Sequence, residues 1–288
     1  KKNNYDVVHA HIGCWSFLIL SLARLCGVKK RIAHSHSADG FTDMSSSGKV
    51  MFLLSKVANP LCVTNYIACS DHACECTFGK HTSKSRKYTR VLNPVDFNRV
   101  RACYDVNEDK LKNELGVKKD RRIVCNVGYL GKHKNQIFLL KLAQDPRLSD
   151  VEFLFVGDGW NRKKLEDTIK QSNIENVHLT GVRNDVPSIL KISDVFVLPS
   201  ILEGLGTVVL EAQACGTPCI ISENVTTETD LGMGLVQQIP LSDEERWIEG
   251  ILSVDNPKLT KEKIMKCFKE KSVELSSAIR MIEDIYKG

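Results

Sequence analysis

The chain has 288 residues, 42% of them hydrophobic and 26% charged, with a formal net charge of +5 at pH 7. These values are those of an ordinary soluble protein that can bury a large core in one or two domains. No run reaches the roughly 18 apolar residues of a membrane-spanning helix, and the apolar run at residues 15–23 follows a strand rather than a basic leader, so the sequence predicts a cytoplasmic protein without a signal peptide.

Strand-like runs alternate with helical patterns along the first part of the chain, which predicts an α/β protein with parallel sheets. Gly27 is the expected C-cap of the first helix, and Ser70 or Asp71 the expected N-cap of the third. The predicted strands lie at residues 6–10, 31–36, 66–69 and 89–92. The predicted helices lie at residues 14–26, 48–59 and 71–79.

A second series of strands follows a break at Asn93-Pro94, a polar stretch and a short helix near residues 108–115. Helices separate these strands, and the last fifty residues have a helical pattern. The simplest architecture is two Rossmann-like domains with a linker near residues 94–108. The predicted strands of the second series lie at residues 122–127, 152–156, 176–180, 194–198, 218–221 and 235–239.

Eleven cysteines fall on predicted strands and helices of a long chain without a secretion signal, which favours reduced thiols over disulfides. The segment at residues 69–76 also contains His72, but Cys-x-Cys is not a common zinc spacing and no second ligand pair follows. On a helix, Cys74 and Cys76 would point about 200° apart. A buried helix is therefore the favoured interpretation, and a metal site is the alternative.

The positive charge is concentrated in the first third, with 13 Lys and Arg against 6 Asp and Glu in residues 1–98, and 27 against 29 in residues 99–288. One loop, residues 80–90, is either a solvated segment or a patch that meets anionic lipid headgroups or a lipid-diphosphate acceptor. Nucleic acid is disfavoured, because no aromatic platform or binding motif accompanies the charge. The basic residues of this loop are Lys80, Lys84, Arg86, Lys87 and Arg90.

The most informative segment, residues 203–211, reads Glu-Gly-Leu-Gly-Thr-Val-Val-Leu-Glu. It places two carboxylates eight positions apart within a strand–turn–helix–strand unit, whose strand ends border a ligand crevice. At the helical rise per residue, Glu203 and Glu211 would lie about 12 Å apart, which suits the two ends of a nucleotide sugar. The amides of Leu205, Gly206 and Thr207 are the expected diphosphate site at the helix N-terminus.

This segment resembles the E-x7-E signature of the retaining glycosyltransferases of family 4, which have the GT-B fold. Four further stretches match motifs of this family in order and spacing, at residues 91–96, 127–135, 156–160 and 180–185. The pattern is similar to that of bacterial enzymes that build capsular and exopolysaccharide repeat units. The resemblance implies an α/β chain with two Rossmann-like domains facing a cleft.

The resemblance also implies a domain arrangement. Residues 1–98 would form the acceptor-side domain, residues 99–270 the nucleotide-sugar domain, and residues 271–288 a helix that packs back on the first domain. In the family, several elements precede a segment like residues 5–11. The N-terminal domain is therefore expected to be incomplete, with an unpaired sheet edge.

By resemblance, Glu203 faces the donor sugar and the reacting centre, and Glu211 accepts hydrogen bonds from the ribose hydroxyls. Lys134 contacts the diphosphate from the first turn of its own helix, and neither metal nor cofactor is expected. The family's second basic residue follows Gly128, where this chain has Tyr129. The alternatives are a surface lysine at Lys134 and helix-end electrostatics for the two glutamates.

Lys132 or His133 would compensate for the basic residue that Tyr129 replaces. Gly157 and Asp158 shape the nucleotide crevice in this interpretation, and the alternative for Asp158 is a helix cap. By resemblance, Val182 and Arg183 would present their backbone to the nucleobase.

Asp185 is expected to cap the next helix, and Asn93 and Asp96 to be structural parts of the interdomain turn.

His36 lines the donor–acceptor cleft by resemblance, and His34 shares its face of the strand. The alternative is a pair of core histidines. His9 and His11 form a similar pair with a weaker claim.

The sequence thus predicts a membrane-peripheral, retaining, metal-independent hexosyltransferase of polysaccharide biosynthesis. The donor is a UDP- or GDP-sugar, with UDP favoured, and the acceptor is a glycan or lipid-linked sugar. Donor phosphate oxygens would take the acceptor proton in a front-face substitution. The alternatives are a non-catalytic nucleotide-sugar-binding or scaffold protein of the same fold, or an epimerase or phosphorylase, which would need further acids or a pyridoxal-binding lysine.

Overall fold

The computed structural model describes residues 4–37 and 46–288. Contacts divide the chain into two units. Unit 1 contains the described residues up to Pro94 together with Leu202–Leu205 and Ser272–Gly288. Unit 2 contains Val95–Ile201 and Gly206–Lys271. The sequence placed these boundaries at 98/99 and 270/271, and it did not anticipate that a four-residue piece near residue 203 would group with unit 1.

Ten strands and twelve α-helices form within the described ranges. The strands are β1 (Val7–Ala10), β2 (Lys30–Ser35), β3 (Asn65–Ala68), β4 (Tyr88–Arg90), β5 (Arg122–Val127), β6 (Val151–Val156), β7 (Val177–Gly181), β8 (Val195–Leu198), β9 (Cys219–Ser222) and β10 (Val236–Ile239). The helices are α1 (Ser16–Leu25), α2 (Ser46–Cys62), α3 (Asp71–Phe78), α4 (Phe97–Arg101), α5 (Glu108–Glu114), α6 (Gln136–Leu142), α7 (Arg162–Gln171), α8 (Val186–Ile192), α9 (Thr207–Ala214), α10 (Glu244–Ser253), α11 (Lys261–Glu270) and α12 (Leu275–Lys287).

The predicted strands and helices are confirmed, and every strand lies within two residues of its predicted bounds. The N-cap Ser70 is confirmed, because its hydroxyl accepts a hydrogen bond from the Ala73 amide at 2.9 Å. The C-cap of α1 is Cys26 rather than Gly27; Gly27 follows it with φ of +83°, the left-handed conformation that ends the helix. The helix α2 continues past its predicted end to include Pro60 in its last turn. The predicted linker instead contains α4 and a 3₁₀ turn at Ala102–Asp105, because Val100 and Cys103 are buried.

Unit 1 is built on a four-stranded parallel sheet in the order β1-β2-β3-β4. The C-terminal helix α12 packs on one face of this sheet through an apolar stripe at helical spacing. The stripe consists of Ala278, Met281, Ile282 and Ile285, and it contacts Val7, Ile32, Ile67 and Val91. This packing explains why the last residues of the chain group with the first strands.

Unit 2 is built on a six-stranded parallel sheet in the order β10-β9-β8-β5-β6-β7. Every residue of β6 is buried, as expected for a central strand covered on both faces. The strand order reverses between β5 and β8, which are neighbours in the sheet although β6 and β7 separate them in sequence. Open α/β sheets bind ligands beyond the carboxyl ends of their strands at such a reversal.

Among the described helices, none combines the length and the hydropathy that crossing a bilayer requires. The apolar run near residue 15 is α1 with a preceding 3₁₀ turn at Gly13–Trp15.

Candidate functional site

The reversal point of unit 2 is bordered by the loops that follow β5 and β8. The amide of Ile201 donates a hydrogen bond to the carbonyl of His133 at 2.8 Å, so the two loops are in direct contact. The neighbouring strands β5 and β8 fix this arrangement through pairing of Val124 with Val195 and of Cys125 with Phe196. Backbone contacts therefore hold the two loops that would border the crevice predicted from the βαβ pattern.

Two buried amide side chains brace the loop after β5. Asn126 donates from Nδ2 to the Val197 carbonyl at 2.8 Å, which ties β5 to β8. Gln136, the first residue of α6, donates from Nε2 to the carbonyl of Tyr129 at 3.1 Å and to Oδ1 of Asn126 at 3.3 Å. A buried amide with its partners satisfied holds a loop in one conformation.

Glycine backbones join the carboxyl ends of three strands. The amide of Gly128 donates to the Val156 carbonyl at 2.9 Å, and the amide of Gly157 donates to the Gly181 carbonyl at 2.8 Å. A Cβ on Gly157 would lie 2.0 Å from the carbonyl oxygen of Gly128, and the φ of Gly157 is +134°. Only glycine fits there, because both the conformation and the space exclude a side chain.

The same packing continues two residues further along each loop, at Leu130 and Gly159. The Leu130 amide donates to the Asp158 carbonyl at 3.0 Å, and a Cβ on Gly159 would lie 2.4 Å from the Leu130 carbonyl oxygen. The loops after β5 and β6 therefore meet backbone to backbone and form a closely packed floor beside the reversal point.

Lys134 lies at the end of a 3₁₀ turn at Lys132–Lys134, just before α6. The prediction that it belongs to the first turn of α6 is wrong, because Asn135 adopts a left-handed conformation with φ of 55° and separates the turn from the helix. The Lys134 side chain crosses Gly128, where an added Cβ would lie 3.5 Å from Cε and 4.0 Å from Nζ. The absence of a side chain at Gly128 thus brings this ammonium group close to the end of β5.

Tyr129 is 52% exposed and has a structural hydrogen bond. Its hydroxyl accepts from the Trp160 amide at 3.2 Å, and its ring covers Gly131, where an added Cβ would lie 2.8 Å from Cδ1. The tyrosine therefore holds together the loops after β5 and β6. Lys132 and His133, the expected substitutes for the missing basic residue, are exposed.

Asp158 is not a helix cap, because α7 begins at Arg162 with Asn161 before it. Its Oδ1 instead accepts from the Gly159 amide at 2.7 Å. The side chain of Asp158 therefore shapes the turn in which it lies and faces solvent at the edge of the floor.

The segment after β7 carries Val182, which is 76% exposed, followed by Arg183. The Arg183 guanidinium donates to Asp185 at 2.7 and 2.8 Å and to Glu114 at 2.7 Å. Asp185 precedes α8 but makes no side-chain cap bond, so the capping prediction is wrong. The Arg183 guanidinium holds the pKa of Asp185 below its usual range, and the pair orders this segment.

The helix α9 begins at Thr207, and Gly206 precedes it with φ of 74° and without a side chain to cap it. Glu203 therefore lies ahead of the helix, and the predicted separation of the two glutamates by helical rise does not apply. Glu211 lies in the second turn and is half-buried; burial raises the pKa of its carboxyl, and Arg99 of α4 opposes that shift. The sequence analysis missed Arg99, which has no motif signal; the fold places its charge near enough to act on Glu211.

The acidic motif is shared between the units. Gly206, Thr207 and Glu211 belong to unit 2, whereas Glu203 and Leu205 belong to the piece that groups with unit 1. The carbonyl of Gly204 accepts a hydrogen bond from the Ser70 hydroxyl, the same oxygen that caps α3. This bond to the start of α3 fixes the turn that carries Glu203 on unit 1.

His36 lies just after β2 in a cluster of four histidines. His9 and His11 come from β1 and the residue after it, and His34 from β2. Nδ1 of His11 lies 2.8 Å from Nε2 of His36, and Nε2 of His9 lies 3.1 Å from Nδ1 of His34. The sequence analysis treated these residues as two separate pairs; pairing of β1 with β2 brings them together.

A doubly wound parallel sheet with glycine-rich loops, a lysine and a helix start at its reversal point is typical of nucleotide-binding α/β domains. The family model described as glycosyl transferases group 1 matches residues 107–231, which lie mostly in unit 2. The Escherichia coli UDP-Gal:alpha-D-GlcNAc-diphosphoundecaprenol alpha-1,3-galactosyltransferase is 30% identical over 273 residues, covering 90% of this chain and 68% of that protein. The chain belongs to the group 1 glycosyltransferase family.

The Bacillus subtilis (strain 168) protein EpsF is 32% identical over 256 residues, covering 87% of this chain and 66% of EpsF. The chain therefore spans about two thirds of the length of these relatives. Anabaena HepE, solved in complex with UDP, matches with a TM-score of 0.78 at 18% identity, over 97% of this chain and 78% of HepE. This likeness confirms the predicted GT-B fold class.

The contact between Gly157 and Gly128 predicts a stability difference between two glycine substitutions. Gly157→Ala should combine backbone strain of about 1–2 kcal/mol with overpacking of about 1–3 kcal/mol. Gly232→Ala is the matched control, because Gly232 also has a positive φ, +77°, but nothing lies within 4 Å of an added Cβ. Urea unfolding should show the larger loss for Gly157→Ala. Equal losses of stability in the two variants would contradict the close approach of Gly157 to Gly128.

Proposed function

We propose that this chain provides the donor site and part of the acceptor side of a retaining, metal-independent glycosyltransferase of family 4. It would transfer a hexose from a nucleotide diphosphate sugar, with UDP favoured over GDP, to a glycan or lipid-linked sugar in polysaccharide biosynthesis. The observation that carries the proposal is the position of Lys134, whose side chain crosses Gly128 at the reversal point of the unit 2 sheet. Family membership, the donor in the name of the Escherichia coli relative and the UDP bound to HepE support it.

In this proposal the departing diphosphate binds near Lys134 and the start of α9. Its negative charge would be stabilised by the ammonium group and by the first amides of the helix, beginning at Gly206 and Thr207. Because the floor beneath Lys134 is closely packed, these groups would need little rearrangement as the charge develops. Tyr129 adds no charge, so Lys134 would be the main basic group for the leaving diphosphate.

The two glutamates would bind opposite ends of the donor. Glu211 would accept two hydrogen bonds from the vicinal ribose hydroxyls, and its position in α9 places it beyond the helix start. Glu203, held in the turn that Ser70 fixes, would face the sugar and the reacting centre. A donor phosphate oxygen would take the proton of the acceptor hydroxyl as the glycosidic bond breaks, on the same face as the leaving group.

The proposed role of Lys134 predicts a contrast with its neighbour Lys132. Lys134→Ala should weaken UDP binding about ten- to hundredfold, because a hydrogen-bonded charge is lost. Lys132→Ala removes the same charge from an exposed position of the same turn and should leave the affinity within about twofold. Isothermal titration calorimetry with UDP measures both.

The reaction itself is tested with a panel of UDP- and GDP-sugars, by following hydrolysis or transfer of the donor. Loss of turnover in Lys134→Ala, with turnover kept in Lys132→Ala, is expected. UDP binding without consumption of any sugar donor would favour the binding-protein alternative. Equal effects of the two lysine substitutions would contradict the assigned diphosphate site.

Protonation of Glu211 should have opposite effects on the stability of the fold and on the affinity for UDP. Burial raises the pKa of this carboxyl in the folded chain, so its ionised form costs folding free energy at neutral pH and protonation removes that cost. The stability contribution of Glu211 should therefore increase as the pH falls through the raised pKa. UDP affinity should decrease over the same range, because the protonated carboxyl loses acceptor capacity for the ribose.

Glu211→Gln should remove both pH effects and weaken UDP binding about tenfold at neutral pH. Urea unfolding and UDP titrations between about pH 5 and pH 7.5 measure the two effects. The titration of UDP itself also changes the affinity over this range, and comparing each variant with the parent at the same pH removes that contribution. The exposed Glu175→Gln is the control and should resemble the parent. A pH dependence of UDP binding that persists in Glu211→Gln would exclude the ribose role.

A second surface supports contact with a membrane that carries the acceptor. The helix α2 exposes apolar side chains, and Leu53 lines the same cavity as Lys56 and Lys80. Apolar groups beside basic ones suit an anionic bilayer surface. Lys87 donates to the Val63 carbonyl at 3.3 Å and Arg90 pairs with Asp71 at 3.5 Å, so these two basic residues have internal partners. The exposed apolar residues of α2 are Val50, Leu53, Leu54, Val57 and Leu61.

Flotation with vesicles tests this contact. The triple variant Lys80→Gln, Lys84→Gln, Arg86→Gln should lose binding to vesicles that contain an anionic phospholipid, since each basic residue contributes about 1 kcal/mol. The control changes net charge equally through exposed residues of unit 2, Lys163→Gln, Lys164→Gln and Lys170→Gln, and should still float. Equal loss in both variants would show a net-charge effect, and no binding by the parent would exclude the contact.

A further inference from the structure

Four histidines of unit 1 lie together in one cluster. We propose that His9, His11, His34 and His36 form a binding site for one divalent transition-metal ion, with Zn²⁺ the favoured ion. The site lies at the carboxyl ends of β1 and β2, and the ion would take no part in the metal-independent transfer proposed above, although His36 is also the residue predicted to line the cleft.

The spacing of the ring nitrogens carries this inference. A tetrahedral zinc ion with Zn–N bonds of about 2.0–2.1 Å holds its ligand nitrogens about 3.4 Å apart. The closest nitrogens here are 2.8 Å apart in the His11–His36 pair and 3.1 Å apart in the His9–His34 pair. One nitrogen from each of His9, His11 and His34 lies within 4.8 Å of the other two. Small ring movements would therefore bring His9, His11 and His34 to coordination distance, and His36 lies against His11 as the fourth ligand.

The outer nitrogens of two rings have the partners that a metal-bound histidine needs. Nδ1 of His9 lies 2.7 Å from the Tyr286 hydroxyl, and Nδ1 of His36 lies 3.3 Å from Oδ1 of Asn93. Such contacts fix the orientation of the ring and direct its other nitrogen inward. In both residues that inner nitrogen, Nε2, already points at another imidazole.

The burial of one ring also suits a metal site. His34 is only 4% exposed, and its Nε2 has no hydrogen-bond partner within the described part of the chain. Neutral imidazoles favour zinc, copper and nickel over magnesium or calcium.

Cobalt substitution tests the site in the untagged full chain. One equivalent of Co²⁺ should give the visible absorption of a tetrahedral ion with nitrogen ligands, and Zn²⁺ should displace it at a ratio of one ion per chain. A thiolate-to-cobalt charge-transfer band would assign the ion to cysteines instead, such as Cys76 beside His72, and would overturn the proposal. A chain that takes up neither ion would overturn it too.

Variants then assign the ligands. The double variant His9→Asn, His11→Asn should abolish saturable Zn²⁺ binding in calorimetry, and both residues are accessible enough for the fold to tolerate the change. Tyr286→Phe, which removes only a partner of the outer nitrogen, should weaken binding about tenfold. The exposed His81→Asn is the matched control and should bind like the parent. Undiminished binding in the folded double variant would exclude the cluster, and the cobalt spectrum of the parent tests the proposal independently of any variant.

Discussion

The close approach of the Gly157 and Gly128 backbones is the contact on which the candidate donor site depends. A Cβ added to Gly157 would lie 2.0 Å from the Gly128 carbonyl oxygen, so there is no room for any side chain at residue 157. This approach lets the loops after β5 and β6 meet through their main chains. Because Gly128 has no side chain, the side chain of Lys134 can pass over it. The loop that positions the main candidate cation is thus fixed by covalent geometry and main-chain hydrogen bonds, which reorganise little when charge changes nearby.

The charged groups around that floor differ in how they are held. Arg183 is bound by two carboxylates, Asp185 and Glu114, so it orders the segment after β7. Glu211 is half-buried with Arg99 near it, and its carboxylate is correspondingly costly to ionise. A buried carboxylate that can gain two hydroxyl donors from a ligand recovers part of that cost on binding. Burial, rather than charge alone, therefore makes Glu211 suited to a vicinal diol.

Unit 1 uses its sheet in another way. Apolar residues of α12 cover the face of the sheet that carries Val7 and Ile32, and the histidines continue the same faces of β1 and β2 beyond this apolar contact. The last turn of α12 brings Tyr286 to His9, from the other end of the chain. The same helix therefore closes the core of unit 1 and orients one imidazole of the histidine cluster.

Sequence alone determined the strands, the helices and the N-cap Ser70, and it placed the end of α1 within one residue, because hydrophobic alternation and cap bonds are set by residues a few positions apart. It also located the glycines at 128 and 157 and the lysine between them. Asp158 and Asp185 look like helix caps in the sequence, but their carboxylates bind other close neighbours, the Gly159 amide and the Arg183 guanidinium. Only the tertiary structure decided the contacts between residues far apart in sequence. It brings Glu114 to Arg183 and Arg99 near Glu211, groups Glu203 with unit 1, and gathers the four histidines into one cluster. Strand order and helix packing set these contacts, and no local pattern records them.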